Sequence, residues 1–423
     1  MKGLKKYITL LSLSLSYATI YSLVYLKYVL YNPMLDAFGI SNAQLGLFMT
    51  VYALVCMAFY IPGGYLADKY STRKILSFSM AAHGLLCFIL CFSLNYTTAL
   101  IVWLLFGFTS AFAFWAALVK GMVSLSTKED SGRVAGIYAL GCAVFSALIN
   151  MALVSVYTLF PDAAKGMQAI AAVSGGSVVL CAVLVFFFYR DKEKIPESGD
   201  NKFDRRYIKP LLKSPIVWIL SLVIFCVYGL RVAGNTYFNP YLAQAKSIDL
   251  SSVAVVGIIR SNLLPMLTPL AGYLADKVFK SVGKLLVLSF VLLAVMFGFV
   301  IFMPSKLPMG ITIIVSLLPG AISGMSYGIV FSILREAGIP DIMMGTVIGI
   351  VSIIGYLPDF FFDPVLGSVL DHFGTAGFTV IFSALIGIAF AGIAGCLYVV
   401  RYGQRVAAGK QNHIGGDIAA YSS

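Results

Sequence analysis

The chain has 423 residues, of which 60% are apolar and 11% charged, with a formal net charge of +12. Soluble domains carry about 25% charge, so this composition, with a mean hydropathy of +0.92, excludes an ordinary soluble enzyme and a disordered chain. The apolar runs are continuous and longer than the ~10-residue alternating segments of a transmembrane barrel, which leaves spanning helices of about 20 residues.

Twelve such runs are predicted, at 8–32, 43–66, 75–93, 97–119, 133–157, 167–189, 214–237, 251–274, 284–303, 309–334, 342–367 and 376–400. The first follows Lys2, Lys5 and Lys6 and continues past Val29 without a small-residue cleavage site. It reads as a span rather than a removed leader. An even count puts both termini on one side. With the N-terminus in the cytosol, 24 of the 30 Lys and Arg fall on cytosolic segments and three on outer loops. That asymmetry fixes the expected orientation and explains the net charge through the anionic leaflet, without nucleic acid. The seven cysteines all lie in apolar runs and the three histidines are scattered, so no disulfide, metal or other cofactor is expected.

The most charged stretch, at 190–213, reads as a cytosolic linker between an N-terminal half, 1–189, and a C-terminal half, 214–402, with a cytosolic tail at 403–423. The halves repeat. GYLADK occurs at 64–69 and at 272–277, NP at 32–33 and 239–240, and GxVxGI at 132–137 and 345–350. Six spans restore the starting side, so the repeats run parallel.

On these motifs the chain resembles the major facilitator superfamily. The resemblance implies an all-α membrane protein with twelve transmembrane helices in two pseudo-symmetric six-helix bundles. Its most specific element is GGYLADKYSTRK at 63–74, with Gly64, Asp68, Arg73 and Lys74 on the family pattern, although Tyr70 and Ser71 replace a glycine. Gly64 is expected to let helices pack closely. A cytosolic gate is expected in which Asp68, Arg73 and Asp276 pair with Glu129, Asp130, Arg133, Arg335, Glu336 or Asp341 when the cavity opens outward. A narrower resemblance is to the organophosphate and organic-anion porters, which carry one basic residue in span one and one in span seven. YGLRVAGNTYFNPYL at 228–242 is similar to their seventh span and places Arg231 on the arginine. YLKYVLYNP at 25–33 is similar to their first, with Lys27 near the basic position.

The residues themselves point the same way. Lys27, Arg231 and Arg260 are the cations inside spans. A cation at the bilayer centre costs roughly 2.5–3.5 kcal/mol even on the lenient insertion scale, so these are expected to face a wet cavity. Asp359 and Asp363, four apart on span eleven, are the carboxylates inside spans. They share a face, and either pair with Arg231 or Arg260, sit at the outer mouth, or bind a coupling proton. The excess positive charge favours an anionic substrate. Tyr228 and Asn235 flank Arg231 at helical spacing, and Tyr17, Tyr21, Tyr25 and Tyr28 form one face of span one. The expected substrate site is therefore Arg231, Lys27, Arg260, Tyr28, Tyr228 and Asn235.

The function expected is secondary transport of a small organic anion (a sugar phosphate, sugar acid or sulfonate) by alternating access. It is driven by proton symport or anion exchange in a monomer of the inner membrane. The chain has no phosphate loop and is not read as an enzyme. A drug or lipid exporter and a transporter-like ligand sensor are the alternatives.

Overall fold

The computed structural model describes residues 2–112, 114–126, 130–189, 208–304 and 307–408, with the side chains at 2–5, 60, 61, 68, 131, 132, 188, 208–210, 341 and 342 left out. These residues form helices and no strand. In chain order the helices are α1 (Lys2–Ser22), α2 (Tyr31–Phe38), α3 (Asn42–Lys69), α4 (Thr72–Phe92), α5 (Tyr96–Gly107), α6 (Phe114–Ser124), α7 (Ser131–Thr158), α8 (Ala163–Phe188) and α9 (Ile208–Lys213). They continue with α10 (Pro215–Pro240), α11 (Leu250–Ile258), α12 (Thr268–Tyr273), α13 (Val282–Ile301), α14 (Met309–Ile329), α15 (Ile333–Glu336), α16 (Asp341–Gly355), α17 (Pro358–Phe373) and α18 (Gly377–Ala407).

Ten helical stretches among the described residues are long and apolar enough to cross a membrane. The predicted count of twelve differs in two places. The first run is interrupted within the segment assigned to span one. The stretch Met343–Ala407, at 65 residues, merges the predicted spans eleven and twelve. At 1.5 Å per residue a straight helix of that length would be roughly three bilayer cores long. The chain instead turns at the 3-10 segment Gly374–Ala376, where Gly374 takes φ 53°.

Helix ends follow local chemistry. Ser41 and Gln44 form a reciprocal capping box that starts α3, and Ser71, Asn95, Asp162, Asp249 and Ser281 each accept a backbone N–H at the start of a helix. Such caps fill donors that lipid cannot. Gly39, left-handed at φ 61°, closes α2.

Two compact units are resolved by contact density. The first comprises Met1–Ile195, Phe238–Met266 and Phe360–His372; the second comprises Pro196–Tyr237, Leu267–Asp359 and Phe373–Ser423. In the first, Leu10, Leu13 and Ile20 of α1 join Leu76 and Met80 of α4, Phe114 and Leu118 of α6, and Val178 and Val185 of α8 in one buried cluster. Phe48 and Trp103 stack with centroids 4.9 Å apart and lock α3 to α5. In the second, Phe297 of α13 stacks on Phe382 of α18 at 5.9 Å.

Prolines explain where the ladders open. Pro33 has no N–H for the Val29 carbonyl. The chain passes from α1 through a single 3-10 turn, Leu26–Tyr28, before α2 begins. Pro33 then falls in the first turn of α2, where its missing donor costs nothing. Pro265 likewise cannot serve the Ser261 carbonyl, and the ladder there widens into a π turn, Ile259–Leu263, followed by a 3-10 turn, Leu264–Leu267. Pro358 starts α17 rather than breaking it, and Pro364 sits inside α17.

Candidate functional site

The charged residues predicted inside the spans have specific partners. In the first unit, the 3-10 turn Leu26–Tyr28 carries Lys27, buried at 2% exposure. Its ammonium forms an ion pair with the Asp363 carboxylate of α17 and lies 5.0 Å from the centroid of the Tyr28 ring. The segment bearing Asp363 is docked along α3. Pro364 leaves the Phe360 carbonyl without its helical donor, and Thr50 Oγ1 donates to that oxygen at 2.7 Å. Closer to the start of α3, a side chain at Gly46 would collide with the backbone of Asp363 and Pro364. Asp371 accepts from the backbone of Asn42 and Ala43, both at 2.9 Å, at the start of α3. Thr50, Gly46 and Asn42 thus repeat every four residues against Phe360, Asp363 and Asp371.

Arg260 occupies the π turn Ile259–Leu263 and is 1% exposed. Its Nη2 donates to Asn239 Oδ1, and its guanidinium carbon lies 5.5 Å from the Phe238 ring centroid. Nε and Nη1 have no hydrogen-bond acceptor among the described residues. Asn239 Nδ2 donates to the carbonyls of Tyr28 at 2.9 Å and Val29 at 3.1 Å. The second of these is the oxygen that Pro33 cannot serve. Gly257 permits this approach, because a Cβ there would strike Asn239 and the Tyr28 carbonyl. From α1 into the 3-10 turn the tyrosines form a ring ladder, with centroids 4.8 Å apart for Tyr17 and Tyr21, 5.9 Å for Tyr21 and Tyr25, and 5.7 Å for Tyr25 and Tyr28.

In the second unit, Arg231 of α10 is partly exposed. Its guanidinium lies over the Tyr327 ring, 4.4 Å from the centroid, and among the described residues it makes no hydrogen bond or ion pair. Tyr228, three residues earlier, donates its hydroxyl to Asp359 at 2.5 Å. The Tyr228 ring packs against Tyr327 and Tyr356, at 5.5 Å and 4.7 Å, and those two share a hydroxyl contact of 3.2 Å. Asn235 is buried at 7% exposure.

The structure therefore unites Lys27 with Asp363 and Tyr28 in one unit, and Arg231 with Tyr228 and Asp359 in the other. Sequence reasoning missed Asn239, Tyr327 and Tyr356. Asn239 had a signal, as the first residue of the repeated NP, but served there only as a marker of the repeat. The tyrosines had none, lying apart in sequence on α14 and at the end of α16.

Several residues expected at the gate have local partners within their own unit. Asp130 pairs with Lys6. Glu336 accepts from Ser281 Oγ and from the Gly283 N–H at 2.9 Å. Arg73 lies 5.2 Å from the Phe186 ring centroid and Arg133 5.9 Å from that of Tyr7. Asp276 and Arg335 are exposed. Glu129 and the side chains of Asp68 and Asp341 lie outside the described residues. The close packing expected at Gly64 is not seen among the described residues, where a side chain there would meet nothing within 4 Å.

A family model for the Major Facilitator Superfamily matches residues 10–362. The inner membrane protein YihN of Escherichia coli (strain K12) is 30% identical over 409 residues, covering 95% of this chain and 97% of that protein. A protein of Cupriavidus necator named "Probable sulfoacetate transporter SauU" is 22% identical over 59% of this chain and 60% of its own. Among solved structures, a bacterial homologue of the human lysosomal transporter Spinster, in an inward-facing and unoccupied conformation, superposes with a TM-score of 0.72. At 15% identity, over 95% of this chain and 97% of that one, it shares the fold.

Proposed function

The chain belongs to the Major Facilitator Superfamily, and on that premise we propose that this membrane transporter moves a small organic anion of the sugar phosphate, sugar acid or sulfonate class. The observation that carries the reading is Arg231. A guanidinium inside a spanning helix is expensive to leave without a counter-charge. Arg231 is partly exposed, stacked on Tyr327, and without an acidic partner among the described residues. Its planar fork can hold two oxygens of a phosphate, sulfonate or carboxylate. Stacking on Tyr327 fixes the plane of the fork before a ligand arrives. Tyr228 and Asn235 would orient the ligand, with Lys27, Tyr28 and Arg260 adding polar and positive groups. The name of the Cupriavidus necator relative supports an anionic cargo.

In this reading the transporter is a monomer of two six-helix halves, 1–189 and 214–402, joined by the linker 190–213. It resides in the inner membrane with both termini cytosolic. Proton symport or anion exchange drives it, with Asp359 and Asp363 as the coupling candidates. The charged residues Asp68, Arg73, Asp276, Glu129, Asp130, Arg133, Arg335 and Glu336, with Gly64, form its cytosolic gate.

The test is counterflow in proteoliposomes with labelled sulfoacetate, glucose 6-phosphate and gluconate. At least one is expected to exchange. Arg231→Lys keeps the charge and loses the fork, so exchange should fall at least tenfold. Wild-type exchange by Arg231→Ala, or no exchange of any of the three by the wild type, overturns the reading.

A further inference from the structure

Lys27 and Asp363 are both buried, with side-chain exposures of 2% and 3%. The ammonium lies in the gap between α1 and α2, while the carboxylate is carried by the part of α17 that docks on α3. Several groups among the described residues lie near this carboxylate. Lys27 approaches from the 3-10 turn. Tyr31 of α2 lies close to both Asp363 and Asp371 and gives its hydroxyl to Asn42 at 3.0 Å. Asp359 and Asp371 flank Asp363 on its own helix. The α3 residues along the seam, Asn42, Gly46 and Thr50, carry no charge.

As it stands the pair is neutral. One negative charge of the cargo that reaches Lys27 while Asp363 is still ionised sets two negative charges against one positive charge at this buried pair. An uncompensated buried charge is strongly unfavourable. Protonation of Asp363 removes the excess: a proton from solvent forms the carboxyl O–H, the ammonium passes from the carboxylate to the anion, and the site stays neutral. No bond in the anion breaks and no other reactant is needed. Proton binding and anion binding must then strengthen each other equally.

We propose that Asp363 is a built-in substitute for the cargo, occupying Lys27 until an anion replaces it, and that one proton taken up by Asp363 accompanies each anion bound at Lys27. This rests on the reading that the cargo is an anion, and it assigns the coupling to proton symport through one of the two span-eleven carboxylates. The coupling group in this scheme is Asp363, which is paired with a cation, rather than Asp359, which accepts from the Tyr228 hydroxyl.

The experiment uses the purified full chain in weakly buffered detergent solution, with sulfoacetate, glucose 6-phosphate and gluconate as probes and a pH dye to count protons. The wild type should take up one proton per anion bound. Its affinity should fall by about tenfold per pH unit on the alkaline side, as a single linked proton requires. Asp363→Asn mimics the protonated state, so with sulfoacetate or gluconate, which do not titrate near neutral pH, it should bind with a pH-independent affinity and take up no proton. Should that variant fail to fold, Asp363→Ser, also neutral and with Lys27 kept, should likewise bind without moving a proton. Binding by the wild type without proton uptake, or the same uptake by either variant, overturns the proposal and leaves the anion reading intact. No binding of any probe by the wild type overturns both.

Discussion

The Tyr228 hydroxyl donates to the Asp359 carboxylate at 2.5 Å, within one unit of the structure. Asp363, a single helical turn further on, pairs with Lys27, and both belong to the first unit. Two carboxylates on one helix face thus have chemically different partners, one a neutral donor and one a cation. Tyr228→Phe removes only the donor. A hydrogen bond to a charged group is worth about 1.5–3 kcal/mol, so the variant should unfold more easily by about that amount. A denaturant titration of the detergent-solubilised protein measures it, and an unchanged midpoint would contradict the contact.

Asn239 serves three partners at once, the Tyr28 and Val29 carbonyls and the Arg260 guanidinium. Asn239→Leu keeps the volume and leaves these groups unsatisfied in a buried place. The expected loss is at least about 1–3 kcal/mol, the cost of one stranded polar group. Asn239→Asp should be better tolerated near Arg260 but cannot donate to the two carbonyls. Thermal melts of the two variants test this order.

Gly46 lies against the backbone of Asp363 and Pro364. Gly46→Leu should prise α17 from α3 without touching Lys27 directly. A cysteine pair replacing Thr50 and Phe360 should cross-link readily in the parent protein. In the Gly46→Leu background the yield should drop severalfold, and an equal yield would show that the seam yields in some other way.

Tyr327 supplies the face on which Arg231 rests. Tyr327→Phe preserves that face and loses only the 3.2 Å hydroxyl contact to Tyr356. Tyr327→Ala removes the face and about 0.5–2 kcal/mol of cation–π attraction. Anion affinity should therefore survive the first change and fall severalfold in the second, as read by calorimetry with the probe that exchanges best.

Orientation is tested separately. A cysteine replacing Lys165 at the start of α8 should react with an impermeant thiol reagent added outside spheroplasts, and one replacing Lys69 should not. The reverse pattern would invert the topology.

Much of the fold was legible because spanning helices are written in long apolar runs, and α3, α4, α7, α8, α13 and α18 start within a few residues of the predicted positions. The gap after Ser22 was not read, although Pro33 announces it: an apolar count is blind to which carbonyl a proline strands. The three buried or stacked cations were found because charge is rare in such a chain. Their partners were not, since pairs such as Lys27 and Asp363 lie 336 residues apart and nothing in local spacing links them. The expected pairing of Arg231 or Arg260 with the aspartates used the right charges. In the structure Arg260 instead bonds Asn239 and Arg231 lies on an aromatic face.

The carbonyls of Tyr28 and Val29 have a consequence for how the protein is made. Their donor, Asn239, lies 211 and 210 residues downstream. At about 5–20 residues per second, the ribosome needs on the order of 10–40 s to deliver it. Throughout that interval the Val29 oxygen of the nascent first span, which Pro33 cannot serve, lacks a donor, and lipid cannot supply one. The newborn helix must keep this stretch in water, in the insertion machinery or at the headgroup level, and seat it fully only when the seventh span arrives. Completion of the first helix is thus among the late events in the birth of the molecule.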